Sequence, residues 1–243
     1  MVGKSRVASF ASIKGRIWDK INGWKEKFLS HAGKKVLLKA VLQAIPTYTI
    51  SVFKLPKTLC QGINSLFSKF WWGHQNNNSK IAWLKWSKMG MAKQKEGLGY
   101  RDLELFNMAL LAKQGWRIMQ NEESLVAKVL KQKYFSKESF LSSRLGCNPS
   151  YVWRSICGAK QLVQAGMIWR VGDGSSIKIW GDKWIDSSYS GMIQSLVWVL
   201  GENAMVSALI DDSTKWWNYE FIREVFPNDE ARRICNMVLS PLG

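Results

Sequence analysis

A mainly α-helical fold with a basic N-terminal helical bundle is predicted by three features of the sequence. Apolar residues recur at helical spacing over most of the chain, and Ser, Asp and Pro stand where helices begin. Only one short stretch alternates in the manner of paired strands.

The first helix is carried by Phe10, Ile13, Ile17, Ile21, Trp24 and Phe28, spaced 3, 4, 4, 3 and 4 residues apart along one stripe. At about 100° per residue, Arg16, Lys20 and Lys27 fall on one edge of that stripe, Lys14 and Lys25 on the other, and Asp19 and Glu26 on the far side. Gly23 is a candidate kink. Ser30 is placed to cap a second helix through Lys34, Leu37, Leu38, Val41 and Ile45, which Pro46 stops. A third helix has Pro56 at its first turn, buries Leu59, Ile63, Leu66, Phe67 and Phe70, and ends at Gly73. Residues 1–73 thus form a basic three-helix unit.

The polar run HQNNNS, residues 74–79, is a loop by composition. KIAWLKWSKM reads as short and extended, and KEGLG as a turn. Asp102 is placed to cap a helix carrying Leu103, Phe106, Leu110, Trp116 and Met119. A second, carrying Leu125, Val129, Leu130 and Tyr134, makes an antiparallel pair with it. Residues 135–149 read as a loop and 151–163 as one more helix. IWRVGDGSSIKIW alternates about the turn Gly172-Asp173-Gly174, which predicts a β-hairpin near residues 168–180. That hairpin completes a helical connector over 80–185. Residues 186–243 are expected to be partly ordered, with short helices at Trp217, Phe221 and Val225 and from an Asn228 cap through Ile234.

Charge is distributed unevenly. Residues 1–101 hold 19 Lys and Arg against 3 Asp and Glu, whereas residues 102–243 hold 16 against 15, so the first part carries nearly all of the net +17. Such an excess repels itself in a compact state, and an anionic partner is the natural reason for it. No run of about 18 apolar residues is present to span a membrane. Secretion is not expected, because the N-terminus lacks an apolar core of the signal-peptide kind. Cys60, Cys147, Cys157 and Cys235 are scattered without a C-x-x-C pair, and only His31 and His74 could join them in a metal site. Four reduced, mostly buried thiols in an intracellular protein, nuclear or cytoplasmic, are expected.

No constellation of catalytic residues is evident. Gly3-Lys4-Ser5 lacks the earlier glycine and preceding strand of a phosphate-binding loop, and Gly97-x-Gly99 lacks the third glycine of a dinucleotide fingerprint, where Asp102 stands. Asp211-Asp212 reads as a polar turn before a helix. Binding is better supported, since Lys and Arg flanking a packed stripe can neutralise phosphates while the stripe holds the helix in place. Among Trp18, Trp71, Trp72, Trp83 and Trp86, most read as core; Trp18, off the main stripe, is the best candidate for an exposed ring that stacks on a base.

The run GKSRVASFASIKGRIWDKINGWKEKFLSHAGKKVLLKAVLQAIPTYTISVFKLP resembles the segment after the catalytic palm in plant LINE-type, non-LTR retrotransposon reverse transcriptases. KFWWG, EGLGYRDLELFNMALLAKQGWR and WRVGDGSSIKIWGDKWI resemble later blocks of the same polyproteins, in order. The resemblance implies a thumb that grips the primer-template backbone, with Lys14, Arg16, Lys20, Lys25, Lys27, Lys34, Lys35 and Lys39 as phosphate contacts. It further implies a connector that precedes zinc-binding and RNase H-like modules. The family's Tyr-x-Asp-Asp magnesium motif and its endonuclease would lie upstream of this sequence, and its Cys/His module downstream. A catalytically inactive fragment is therefore expected, with no cofactor of its own and magnesium belonging to the palm. Its expected partners are a duplex or RNA–DNA hybrid, bound without sequence preference, and an intact retroelement polyprotein; no membrane is implied. A decayed remnant without activity remains open, as does a helix-turn-helix protein that reads a groove with Lys34 to Ile45.

Overall fold

The computed structural model describes residues 6–24, 29–73, 81–185, 191–195 and 200–240. They form a mainly helical structure with a single two-stranded antiparallel sheet, in keeping with the predicted class. The chain condenses into two compact units, residues 1–165 and 166–243.

Unit 1 begins with α1 (Arg6–Asn22), which buries Phe10, Ile13, Ile17 and Ile21 on one stripe and packs on α4 (Lys57–Trp72). The helix ends just before Gly23, and beyond that break Trp24 meets the Phe70 ring at 5.4 Å. Ser30 caps α2 (His31–Leu37), its hydroxyl accepting from the Gly33 amide, as its position predicts. The helix then loosens into a π-helical turn over Leu38–Leu42, and α3 (Thr47–Ile50) follows Pro46. α4 buries Leu59, Cys60, Ile63, Leu66, Phe67 and Phe70, and it closes on Gly73, whose φ of 70° is the left-handed conformation that ends helices. The predicted loop at 74–79 lies outside the described residues, as does Phe28.

The core of these helices continues through Met89, Tyr100 and Leu103. The last four residues of the stretch expected to be extended form instead a helical turn, α5 (Trp86–Met89), where Trp86 stacks on Tyr100 at 5.1 Å and Met89 is buried. Asp102 caps α6 (Leu103–Gln120), accepting from the amides of Glu104 and Leu105. α6 packs against α4, α7 (Leu125–Tyr134) and α8 (Tyr151–Cys157), and α9 (Lys160–Gly166) comes last. A second core surrounds Trp153, which stacks on Tyr134 at 4.8 Å and on Phe135 at 5.4 Å and meets the edge of Phe140.

Unit 2 has its own core, centred on Trp184 and Trp217 with ring centroids 6.1 Å apart. The turn at Gly172–Gly174 is present, but its flanks do not pair with each other as the alternation predicts. Ile177 and Ile179 bond instead to Val206 and Ala204, and the Gly174 carbonyl accepts from the Ser207 amide. The sheet itself is β1 (Ile210–Asp211) with β2 (Trp216–Trp217), joined by a turn in which Lys215 has a φ of 53°. The two terminal helices are α10 (Tyr219–Val225), capped by Asn218, and α11 (Asn228–Cys235), where Asn228 is the first helical residue rather than the cap. Among the described residues no helix is long and apolar enough to cross a membrane.

Candidate nucleic-acid interface

The two units differ sharply in charge. Residues 166–243 carry 7 Lys and Arg against 10 Asp and Glu, so all of the +17 excess belongs to unit 1. Within it, Lys14, Arg16 and Lys20 are exposed on α1 beside the buried stripe. The Lys14 side chain lies over α4, where a Cβ added to Gly62 would sit 3.5 Å from its ammonium. Trp18 is 49% exposed, as its position off the stripe predicts, yet Trp83 at 75% is the more open ring. Trp71, Trp72 and Trp86 are half-buried against the core. Lys25 and Lys27 lie outside the described residues.

The cations of the second helix divide in a way that helical spacing alone does not reveal. Lys34 is only 9% exposed, its ammonium 5.9 Å from the Phe70 ring centroid. Its expected role as a surface phosphate contact is therefore corrected: α2 packs on α4, and the Lys34 stem becomes part of that joint. Lys35 is half-exposed, while Lys39 places its ammonium 5.6 Å from the Tyr100 ring centroid. Burial, and then the charges of Lys35, Lys93 and Arg101, push the Lys39 pKa below its ordinary value. Lys93 and Arg101 were not among the predicted contacts. The only sequence signal for them is the basic run that flanks the KEGLG turn.

Few acids answer these charges. Among the described residues the ion pairs are Lys57–Glu104, Lys128–Glu123, Lys131–Glu122 and Lys215–Asp212, so Lys14, Arg16, Lys20, Lys35, Lys39, Lys93 and Arg101 stand outside every one. Asp102, next to Arg101, is engaged in capping α6 and accepts from Asn64. An anion that approached this surface would meet cations not already neutralised by the protein.

Other candidate sites resolve into structure. Asp211 accepts from the Ser213 amide and hydroxyl, which hold its carboxyl below the usual range, and Asp212 pairs with Lys215 at 3.3 Å. Both acids thus serve the β1–β2 turn. Gly97 and Gly99 belong to a tight turn closed by hydrogen bonds that the Leu98 amide donates to the Met89 carbonyl and the Gly99 amide to the Met91 carbonyl. All four cysteines are free thiols, but against the expectation of mostly buried ones only Cys60 is buried, with Cys157 and Cys235 half-buried and Cys147 exposed, because these three lie at the ends of their helices or in a loop. Among the described residues no three His, Cys, Asp or Glu side chains are grouped so as to hold a metal ion.

Comparison with known proteins places the chain among plant sequences. It is 41% identical over 143 residues to an Arabidopsis thaliana protein named "Uncharacterized mitochondrial protein AtMg00310", a match that covers 58% of this chain and 93% of the relative. The chain belongs to the family of that protein. It is also 37% identical over 180 residues to the Arabidopsis thaliana protein named "Putative ribonuclease H protein At1g65750", covering 73% of this chain but only 29% of that longer relative. No family model matches the sequence, and no solved structure matches it. The longer relative continues well beyond the region shared with this chain.

Proposed function

We propose that unit 1 binds the sugar-phosphate backbone of duplex or hybrid nucleic acid, without sequence readout and without catalysis. The observation that carries this reading is the excess of cations in unit 1, among which Lys14, Arg16, Lys20, Lys35, Lys39, Lys93 and Arg101 stand outside every ion pair among the described residues. Contacts of this kind supply affinity through counterion release and carry no sequence information. The resemblance of the first helices to a reverse-transcriptase thumb supports the same reading, as does the nucleic-acid enzyme named in the longer relative. On this proposal the chain corresponds to the thumb and connector of a non-LTR retroelement polyprotein. Polymerisation and its magnesium ions would belong to the palm of such a polyprotein.

The test is binding of the full chain to a labelled RNA–DNA hybrid over a salt series. Log affinity should fall linearly with log salt, by about 0.7 to 0.9 per phosphate neutralised. Replacing Lys14, Arg16 and Lys20 together by Gln should weaken binding for all sequences alike and flatten that dependence. Binding that is absent at low salt, or indifferent to salt, would defeat the proposal and favour a remnant without activity.

A further inference from the structure

The cations around Lys39 come from two stretches of chain far apart in sequence. Lys35 and Lys39 project from α2 and its π-helical turn, while Lys93 and Arg101 flank the 96–100 turn. The two stretches are held together by the Gln43 side-chain amide, which donates to the Arg101 carbonyl at 3.4 Å, and by Lys39, whose ammonium lies over the Tyr100 ring. Gly99 leaves the approach open: with φ at 65° and no side chain, it lets the Lys39 ammonium come to within 3.4 Å of where a Cβ would stand. Arg101 is braced by stacking its guanidinium over Phe106 at 4.4 Å, which orders it before any ligand arrives. Tyr100 is 2% exposed, so the floor of the cluster is a fixed ring.

We infer that Lys35, Lys39, Lys93 and Arg101 form a discrete seat for one phosphodiester group of a nucleic-acid strand, separate from the α1 surface. This rests on the proposed backbone binding and adds a second, pre-organised point that fixes register. Four like charges gathered without an acid partner work against folding, and a phosphate oxyanion relieves that repulsion while accepting from the Arg fork and the Lys ammoniums. Burial first, and then the like charges of Lys35, Lys93 and Arg101, lower the Lys39 pKa, in agreement with their nearness to its ammonium. Stability and binding are therefore expected to oppose each other here.

The experiment uses the full chain and two variants. Lys39→Met keeps a stem over Tyr100 and removes the charge; Lys93→Gln acts at an exposed position. Each is read by affinity for a labelled RNA–DNA hybrid across a salt series and by thermal melting. The expected result is an affinity about 5-fold to 10-fold weaker at low salt, a log–log slope smaller by about 1, and a melting temperature unchanged or raised. Unchanged hybrid affinity in Lys93→Gln overturns the seat, whatever Lys39→Met does. So does a loss of binding to phosphatidylserine vesicles with hybrid binding intact. If the α1 variant weakens hybrid binding and these two do not, the seat alone falls; if none of the three does, the backbone-binding reading falls with it.

Discussion

The side-chain carbonyl of Asn107 accepts the Leu55 amide at 2.9 Å in the interior of unit 1, where Asn107 is 2% exposed. Its amide group donates in turn to the carbonyls of Ile50 and Phe53, at 2.6 and 2.9 Å. One side chain of α6 thus satisfies three backbone groups of the bend between α3 and α4. Removing it leaves those groups buried without partners, a larger penalty than the loss of the bonds themselves. Asn107→Ala is expected to cost about 3 kcal/mol or more in urea denaturation. Asn107→Asp should also destabilise at neutral pH, because a carboxylate would face two carbonyl oxygens.

Gly97 is fixed by space. A Cβ there would stand 1.9 Å from the Met91 carbonyl oxygen, a contact with backbone that no side-chain rotation relieves. Gly97→Ala should therefore open the 89–100 turn. Hydrogen exchange at the amides of Leu98 and Gly99, which bond to Met89 and Met91, is expected to accelerate.

Cys60, buried on α4, has its thiol pushed up to about 11 from an ordinary 9.0, by burial first and then by Glu104 and Asp102. The folded state holds this proton longer than the unfolded chain does. Its contribution to stability is therefore complete below about pH 9 and is lost as pH rises toward 11. Cys60→Ala should blunt that alkaline decline in melting temperature. Thiol-modifying reagents should label exposed Cys147 promptly and Cys60 only on unfolding.

Trp184 anchors unit 2, fully buried against Trp217, with its indole donating to the Ile179 carbonyl at 2.9 Å. Trp184→Ala is expected to cost about 3 to 5 kcal/mol, enough to unfold a small unit with a single core. Limited proteolysis should then remove residues 166–243 while the core around Phe67 and Phe70 in unit 1 remains protected.

Helix starts and stops were readable because their causes are local. Ser30, Asp102 and Pro56 act within one turn of themselves, Gly73 within the last turn of α4, and the α1 stripe repeats at the helical period. Strand pairing was not readable. The alternation around Gly172–Gly174 is compatible with a hairpin, but those residues find their partners at 204–207, some 30 residues away.

The sequence by itself determined a mainly helical chain, the stripe that buries Phe10, Ile13, Ile17 and Ile21, and the concentration of positive charge before residue 102. Tertiary structure alone decided where each cation lies. Helical spacing made Lys34, Lys35 and Lys39 look equivalent, yet packing on α4 draws Lys34 onto Phe70, while the fold of the 89–101 segment brings Lys93 and Arg101 to Lys39. The reason is physical: a side chain's secondary structure depends on neighbours within a few residues, whereas its burial and field depend on whatever distant chain packs beside it.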